Sequence, residues 1–78
     1  MTRYDHITFD KSILGGKPIL KGSRISVEVI LEWIASGATI EKIVESFPHL
    51  TREAVTEAVL YAKDSLKNEI YIESNKDR

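Results

Sequence analysis

Apolar positions recur along this chain with two different periods. Around Asp5 to Asp10, Ile7 and Phe9 alternate with His6 and Thr8, the period of two that marks a half-buried strand. Gly15-Gly16 interrupts that pattern and Pro18 sets an extended restart. Ile19-Leu20 and Arg24-Ile25 then flank Lys21-Gly22-Ser23, a short glycine-containing connection suited to a tight hairpin. Strands this short need a helix to cover their apolar face. From Val27 onward the period lengthens to that of a helix. Val27, Ile30, Leu31 and Ile34 follow an i, i+3, i+4, i+7 pattern, which predicts a helix over 27–36 with Ser26 as its N-cap and Gly37 as its stop. Val29 and Trp33 lie on its flank. Thr39 caps a second helix over 40–46, where Ile40, Ile43, Val44 and Phe47 repeat the spacing, and Pro48 forces Phe47 out of helical geometry. Leu50 anchors the following turn, and Thr51 caps the third and longest helix.

On that third helix the charges sort by sign. At about 100° per residue, Arg52, Thr56, Lys63 and Lys67 fall within roughly 60° of one another. Glu53, Glu57 and Asp64 form a neighbouring acidic stripe, and Ala54, Val55, Ala58, Val59, Ala62 and Leu66 are expected to be buried on the opposite side. Leu60 falls between the charged stripes and Tyr61 at the far edge. Beyond Leu66 the pattern weakens to an apolar knot, Ile70-Tyr71-Ile72, inside a polar tail. The division that follows is a domain over 1–69, strand region plus three helices, and a C-terminal tail over 70–78.

Composition narrows the class. A chain of 78 residues with 42% hydrophobic and 29% charged residues is a small soluble domain whose core alone gives marginal stability. It has no cysteine, so neither disulfides nor thiolate metal sites reinforce it, and oligomerisation is the remaining common device. A homodimer is expected, with Val29, Trp33, Leu60 and Tyr61 as contacts, although a tryptophan in such a chain usually belongs to the core and a dimer contact is the main competitor for Trp33. The knot of Ile70, Tyr71 and Ile72 is expected either to extend the third helix or to order on a protein partner. The N-terminus lacks the apolar run of a signal peptide and no stretch is long enough to cross a membrane, so a cytoplasmic location is expected.

Net charge is −1, which disfavours a strongly electrostatic nucleic-acid binder and requires any DNA contact to use a local basic face. The segment from Gly15 to Ser26 supplies one, with Lys17, Lys21 and Arg24 and no acid. Helix, turn, helix is also the layout that places the N-terminal residues of a second helix in the major groove. Lys21, Arg24, Thr51, Arg52, Thr56 and Lys63 are therefore the DNA-binding candidates. Arg pairs bidentately with guanine, and Thr contacts phosphate or a thymine methyl. Against this, the turn Phe47-Pro48-His49-Leu50 is a residue longer than the tight glycine-containing form, and Glu53 would face phosphates. A tri-helical core with merely solvated faces fits the same pattern. No catalytic or metal site emerges and no cofactor is expected. His6 and His49 are far apart, Glu53 and Glu57 lack a histidine at the spacing of a carboxylate–histidine metal site, and Gly15-Gly16-Lys17-Pro18 lacks the phosphate-loop spacing.

The run Gly16-Lys17-Pro18-Ile19-Leu20-Lys21-Gly22-Ser23-Arg24-Ile25-Ser26-Val27, followed by Ile30-Leu31, Ser36-Gly37, Phe47-Pro48-His49-Leu50-Thr51 and Ala54-Val55, closely resembles the bacterial domain of unknown function 433 family. The resemblance covers about Asp5 to Ala62. It implies a mainly α, tri-helical, homeodomain-like helix-turn-helix fold with a short N-terminal β-hairpin region, usually dimeric. It also implies kinship with VapB-like antitoxins of type II toxin–antitoxin pairs, encoded beside a toxin with a PIN-like nuclease fold. The expected function is thus that of a dimeric antitoxin and autoregulator, which masks a PIN-like toxin and binds promoter DNA. The alternative is a dimeric protein-interaction module without DNA affinity; on either reading the chain is not an enzyme.

Overall fold

A computed structural model describes residues 4–66. Two strands, β1 (Ile7–Phe9) and β2 (Pro18–Leu20), precede three helices, α1 (Val27–Ala35), α2 (Ile40–Ser46) and α3 (Arg52–Ser65). The strands pair antiparallel, with Ile7 opposite Leu20, Thr8 opposite Ile19 and Phe9 opposite Pro18. The molecule is mainly helical, with this small sheet packed on one side.

The helices begin where the hydroxyl side chains are. Ser26, Thr39 and Thr51 each hold extended backbone and accept the N–H three residues on, from Val29 at 3.0 Å, Lys42 at 3.1 Å and Ala54 at 3.1 Å. At the end of α1, Gly37 takes φ of 101°, and the Gly37 and Ala38 N–H groups close back on Ile34 and Trp33. That is a Schellman motif, which needs a residue without a Cβ penalty at this position. α2 stops at Phe47, as expected before proline.

The core is built from one stripe of each element: Ile7 and Leu20 from the sheet, Val27 and Ile30 from α1, Ile43 from α2, Leu50 from the turn, and Ala54, Val55 and Ala58 from α3. Ile30, Ile43 and Val55 are fully buried where the helices meet. Burying each such side chain contributes about 1.5–3 kcal/mol before the entropy of ordering is subtracted.

Three expectations change. The hairpin is not formed by Ile19-Leu20 against Arg24-Ile25. β2 pairs with β1, and the 20–25 segment is a turn in which Ser23 Oγ donates to the Leu20 carbonyl (2.8 Å) and accepts from Ile25 N–H (3.0 Å), with Gly22 at φ of 83°. Only the single bridge between Ile19 and Ser26 and the Leu20 N–H to Ile25 carbonyl bond (2.9 Å) remain of the predicted pairing. Phe9 does not share the burial of Ile7. It is 57% exposed at the end of β1, its ring leaning edge-on toward Tyr61 at 6.2 Å. Leu66, predicted inward, is 47% exposed because α3 ends at Ser65 and no described element covers it.

Candidate functional site

Two surfaces of α3 hold most of the candidate residues. At its N-terminal end, Arg52, Glu53, Thr56 and Glu57 line one shallow depression together with His6. Thr51, Arg52, Glu53 and Thr56 are all exposed. Arg52 is not a free cation, however. Its guanidinium donates to Glu41 in the first turn of α2, and this bond, the Glu41 backbone N–H and the guanidinium charge together hold the Glu41 carboxyl below the usual carboxylate range. Glu57 and Asp64 of the acidic stripe are likewise paired rather than merely solvated. Glu57 Oε1 accepts the His6 backbone N–H at 2.8 Å, and its Oε2 lies 3.0 Å from His6 Nδ1. Burial alone would raise the Glu57 pKa. The bonds from the His6 backbone and side chain and from the Asp5 backbone outweigh it and hold the carboxyl below its ordinary value. Farther along, the Tyr4 hydroxyl donates to Asp64, and Lys63 Nζ sits 2.8 Å from the same carboxylate.

The two basic residues of the turn part company. Lys21 is joined to this end of α3 through the backbone, its N–H donating to the His6 carbonyl at 2.7 Å. Arg24 instead lines a depression with Thr8, Phe9, Asp10 and Ile19. Asp10 is held below its ordinary pKa chiefly by the Ser12 hydroxyl and N–H, with a smaller pull from the Arg24 charge. Thus Thr51, Arg52 and Thr56 share the start of α3, Lys21 touches that region only through the backbone of His6, Arg24 lines a separate depression, and Lys63 sits about three turns farther along α3.

The second surface is apolar. Pro18 of β2, Val27 and Leu31 of α1, and Tyr61 and Ala62 of α3, with Leu66 just past its end, line a groove of about 410 Å³, rimmed by Lys17, Glu28, Ser26 and Ser65. Lys17 Nζ and Glu28 Oε1 pair across the rim at 3.1 Å. Leu31, Tyr61 and Ala62 are only half-buried there. Of this lining only Tyr61 stood out from its sequence as a contact candidate. Val27, Leu31, Ala62 and Leu66 carry the spacing of core positions, and nothing local marks the place where α1 and α3 part.

The remaining contact candidates are divided. Trp33 and Tyr61 are each half-buried and find ring partners within the chain. Trp33 packs edge-on against Phe47 at 5.3 Å, and Tyr61 against Tyr4 at 5.4 Å. Val29 is half-buried and Leu60 is 44% exposed. Ile70, Tyr71 and Ile72, with Lys67, lie outside the described residues. Among the described residues no group of three or more His, Asp or Glu side chains could hold a metal ion. No helix among them is long and apolar enough to cross a membrane.

Comparison with known proteins places this geometry in a family context. A protein family described as a protein of unknown function (DUF433) matches residues 7–62, which span both strands, the turn and all but the last residues of α3. The chain is 33% identical over 57 residues to the uncharacterized protein y4eO of Sinorhizobium fredii, covering 73% of this chain and 26% of that protein. The chain thus spans about a quarter of the length of the curated relative it matches. No solved structure matches.

Proposed function

The chain belongs to the DUF433 family, and from its exposed faces we propose that it acts by binding, as a dimeric antitoxin that masks a nuclease partner with a PIN-like fold. The observation carrying this reading is the apolar groove between α1 and α3, where Pro18, Val27, Leu31, Tyr61, Ala62 and Leu66 offer a concave surface of the kind that takes an amphipathic segment of another protein. On this reading the helices are a homeodomain-like scaffold, and a second copy supplies the burial that so small a core leaves wanting. The test is co-expression with a small PIN-like nuclease toxin from an adjacent open reading frame, whose identification is the first step. Wild type should restore growth. Leu66→Asp, a charge placed at an exposed groove position, should abolish protection while leaving the helical circular-dichroism spectrum intact. Undiminished protection by that variant overturns the reading.

Promoter binding is a second reading, favoured by the exposure of Thr51, Arg52 and Thr56 at the start of a helix that follows a helix and a turn. Glu41, Glu53 and Glu57 crowd the same end with negative charge. Affinity should therefore be weak and fall steeply with added salt. A gel shift with upstream DNA at low salt tests it, and no shift up to about 50 µM, within the range of non-specific binding, leaves the interaction module without DNA affinity.

A further inference from the structure

We propose that the outer edge of β1 pairs with the same edge of a second copy, antiparallel about a two-fold axis at Thr8, so that two small sheets join into one. This rests on the reading of the chain as a dimer and adds where its two copies meet.

The hydrogen bonds around the sheet show which backbone groups of β1 are free. Lys21 N–H donates to the His6 carbonyl at 2.7 Å, so His6 and Lys21 form a bonded pair. By the alternation of an antiparallel ladder the next bonded pair is Thr8 with Ile19, and Ile7 and Phe9 point away from β2. The residues opposite agree. Pro18, facing Phe9, has no N–H to give, and the Leu20 N–H, facing Ile7, turns instead to the Ile25 carbonyl at 2.9 Å. The Ile7 N–H reaches the Tyr4 carbonyl only at 3.4 Å. The Ile7 carbonyl and the Phe9 N–H and carbonyl therefore project from the outer edge, with no partner there among the described residues.

This is also the open edge of the sheet. On its far side β2 is closed by the bridge between Ile19 and Ser26 and by the Leu20–Ile25 bond. β1 carries neither of the side-chain devices that keep an edge from pairing, since Ile7-Thr8-Phe9 contains no charge and no proline, and Phe9 is 57% exposed. A two-stranded sheet of three-residue strands is marginal alone, and further strands make good that deficit.

The occupant follows from self-complementarity. Pairing about Thr8 sets Phe9 against Ile7 of the second copy, and the same exchange repeats across the axis. The two Phe9 side chains become diagonal neighbours on the face that packs on the helices, within reach of aromatic rings. Beyond the strands, the flanking turns bring Asp5 of each copy opposite Lys11 of the other. Both are exposed, and neither has an ion pair among the described residues. An axis at Phe9 would set Asp5 against Ile13 instead, and an axis at Ile7 would need the N–H that Tyr4 holds. Charge thus selects both the register and a second copy as the partner strand.

The chain has no cysteine, so Thr8→Cys is a single probe in the full-length protein. Across the axis the two residues at position 8 form a non-hydrogen-bonded pair with Cα atoms about 4.5 Å apart, within the span of a disulfide. Glu45→Cys, exposed on α2, is the control. Under mild oxidation Thr8→Cys should form a disulfide-linked dimer at least about tenfold faster than the control, and equal rates overturn the proposal. In light scattering, Lys11→Glu should weaken the dimer several-fold, and adding Asp5→Lys should restore it, because the pair is then reversed rather than broken. Absence of weakening, or weakening that the second change does not restore, overturns the proposal. If both probes fail while wild type keeps a dimer mass at about 100 µM, well above a micromolar dissociation constant, the β1 interface falls and the dimer stands. A monomer mass at that concentration overturns both. Nuclease masking is read separately through Leu66→Asp, which lies off β1.

Discussion

The two ends of α3 are held in place by different kinds of interaction. At its start, Thr51 caps the Ala54 N–H, three residues on, and Arg52 reaches Glu41, eleven residues back. From Glu57 onward to its end, the partners come from the far N-terminus: His6 donates to Glu57 across 51 positions, Tyr4 to Asp64 across 60, and the rings of Tyr4 and Phe9 rest on Tyr61. The first end is thus a charged surface satisfied by near neighbours, and the second a joint between the first and last described elements. The difference teaches where stability and binding are each stored. Exposed, locally paired charges contribute little to folding, whereas half-buried long-range contacts close the domain.

Cutting into the joint should have the largest effect. Tyr61→Ala removes both ring contacts and part of the groove wall, and should cost about 2 kcal/mol in urea unfolding, below the full-burial value because Tyr61 is half-buried. Glu57→Ala leaves the His6 and Asp5 backbone N–H groups without their acceptor and should cost about 1–2 kcal/mol at neutral pH. The same carboxylate predicts a pH dependence. Its folded pKa lies below its ordinary value of 4.5, so its contribution is full above that pH and is lost as pH falls through the lower, folded value. Wild type should therefore lose stability more steeply than Glu57→Ala on the acid side of pH 4.5, and parallel curves would show that Glu57 is not the clamp.

Changes at the other end should be smaller. Thr51→Ala removes the cap and should cost about 1 kcal/mol, read as a shift in the urea midpoint with unchanged slope. Glu41→Ala should leave the midpoint unmoved, because the pair it breaks with Arg52 is exposed on both sides. Its effect should appear instead as stronger retention of the protein on DNA at low salt, once the guanidinium is released. Unchanged retention would count against any role of Arg52 toward phosphate or base.

The same contrast explains what could be read in advance. Helix starts and stops were legible because their determinants are local: Ser26, Thr39 and Thr51 stand at the three N-caps, and Gly37 and Pro48 at the stops. The stripe of Ile30, Ile43 and Val55 was legible for the same reason, since a 3.6-residue period records one buried face. Strand pairing was not. Lys21-Gly22-Ser23 has the composition of a hairpin turn, but whether β2 pairs forward with Arg24-Ile25 or back with Ile7–Phe9 depends on which strand α3 holds in place. The candidate site divides in the same way. Exposure of Thr51, Arg52 and Thr56 follows from their phase on α3, but the pairing of Arg52 with Glu41 requires the angle between two helices. The groove is a property of three elements together, and Leu31 and Ala62 look like ordinary core positions until the missing cover is seen.

The joint at Glu57 also orders events during synthesis. His6 is synthesised 51 residues before the carboxylate that fixes its backbone. At roughly 5–20 residues per second, that is a wait of about 3–10 s, during which Ile7–Phe9 has no helix to lie on. The first described strand to be made is therefore among the last to be placed, and it closes onto the helices only after Glu57 of α3 has emerged.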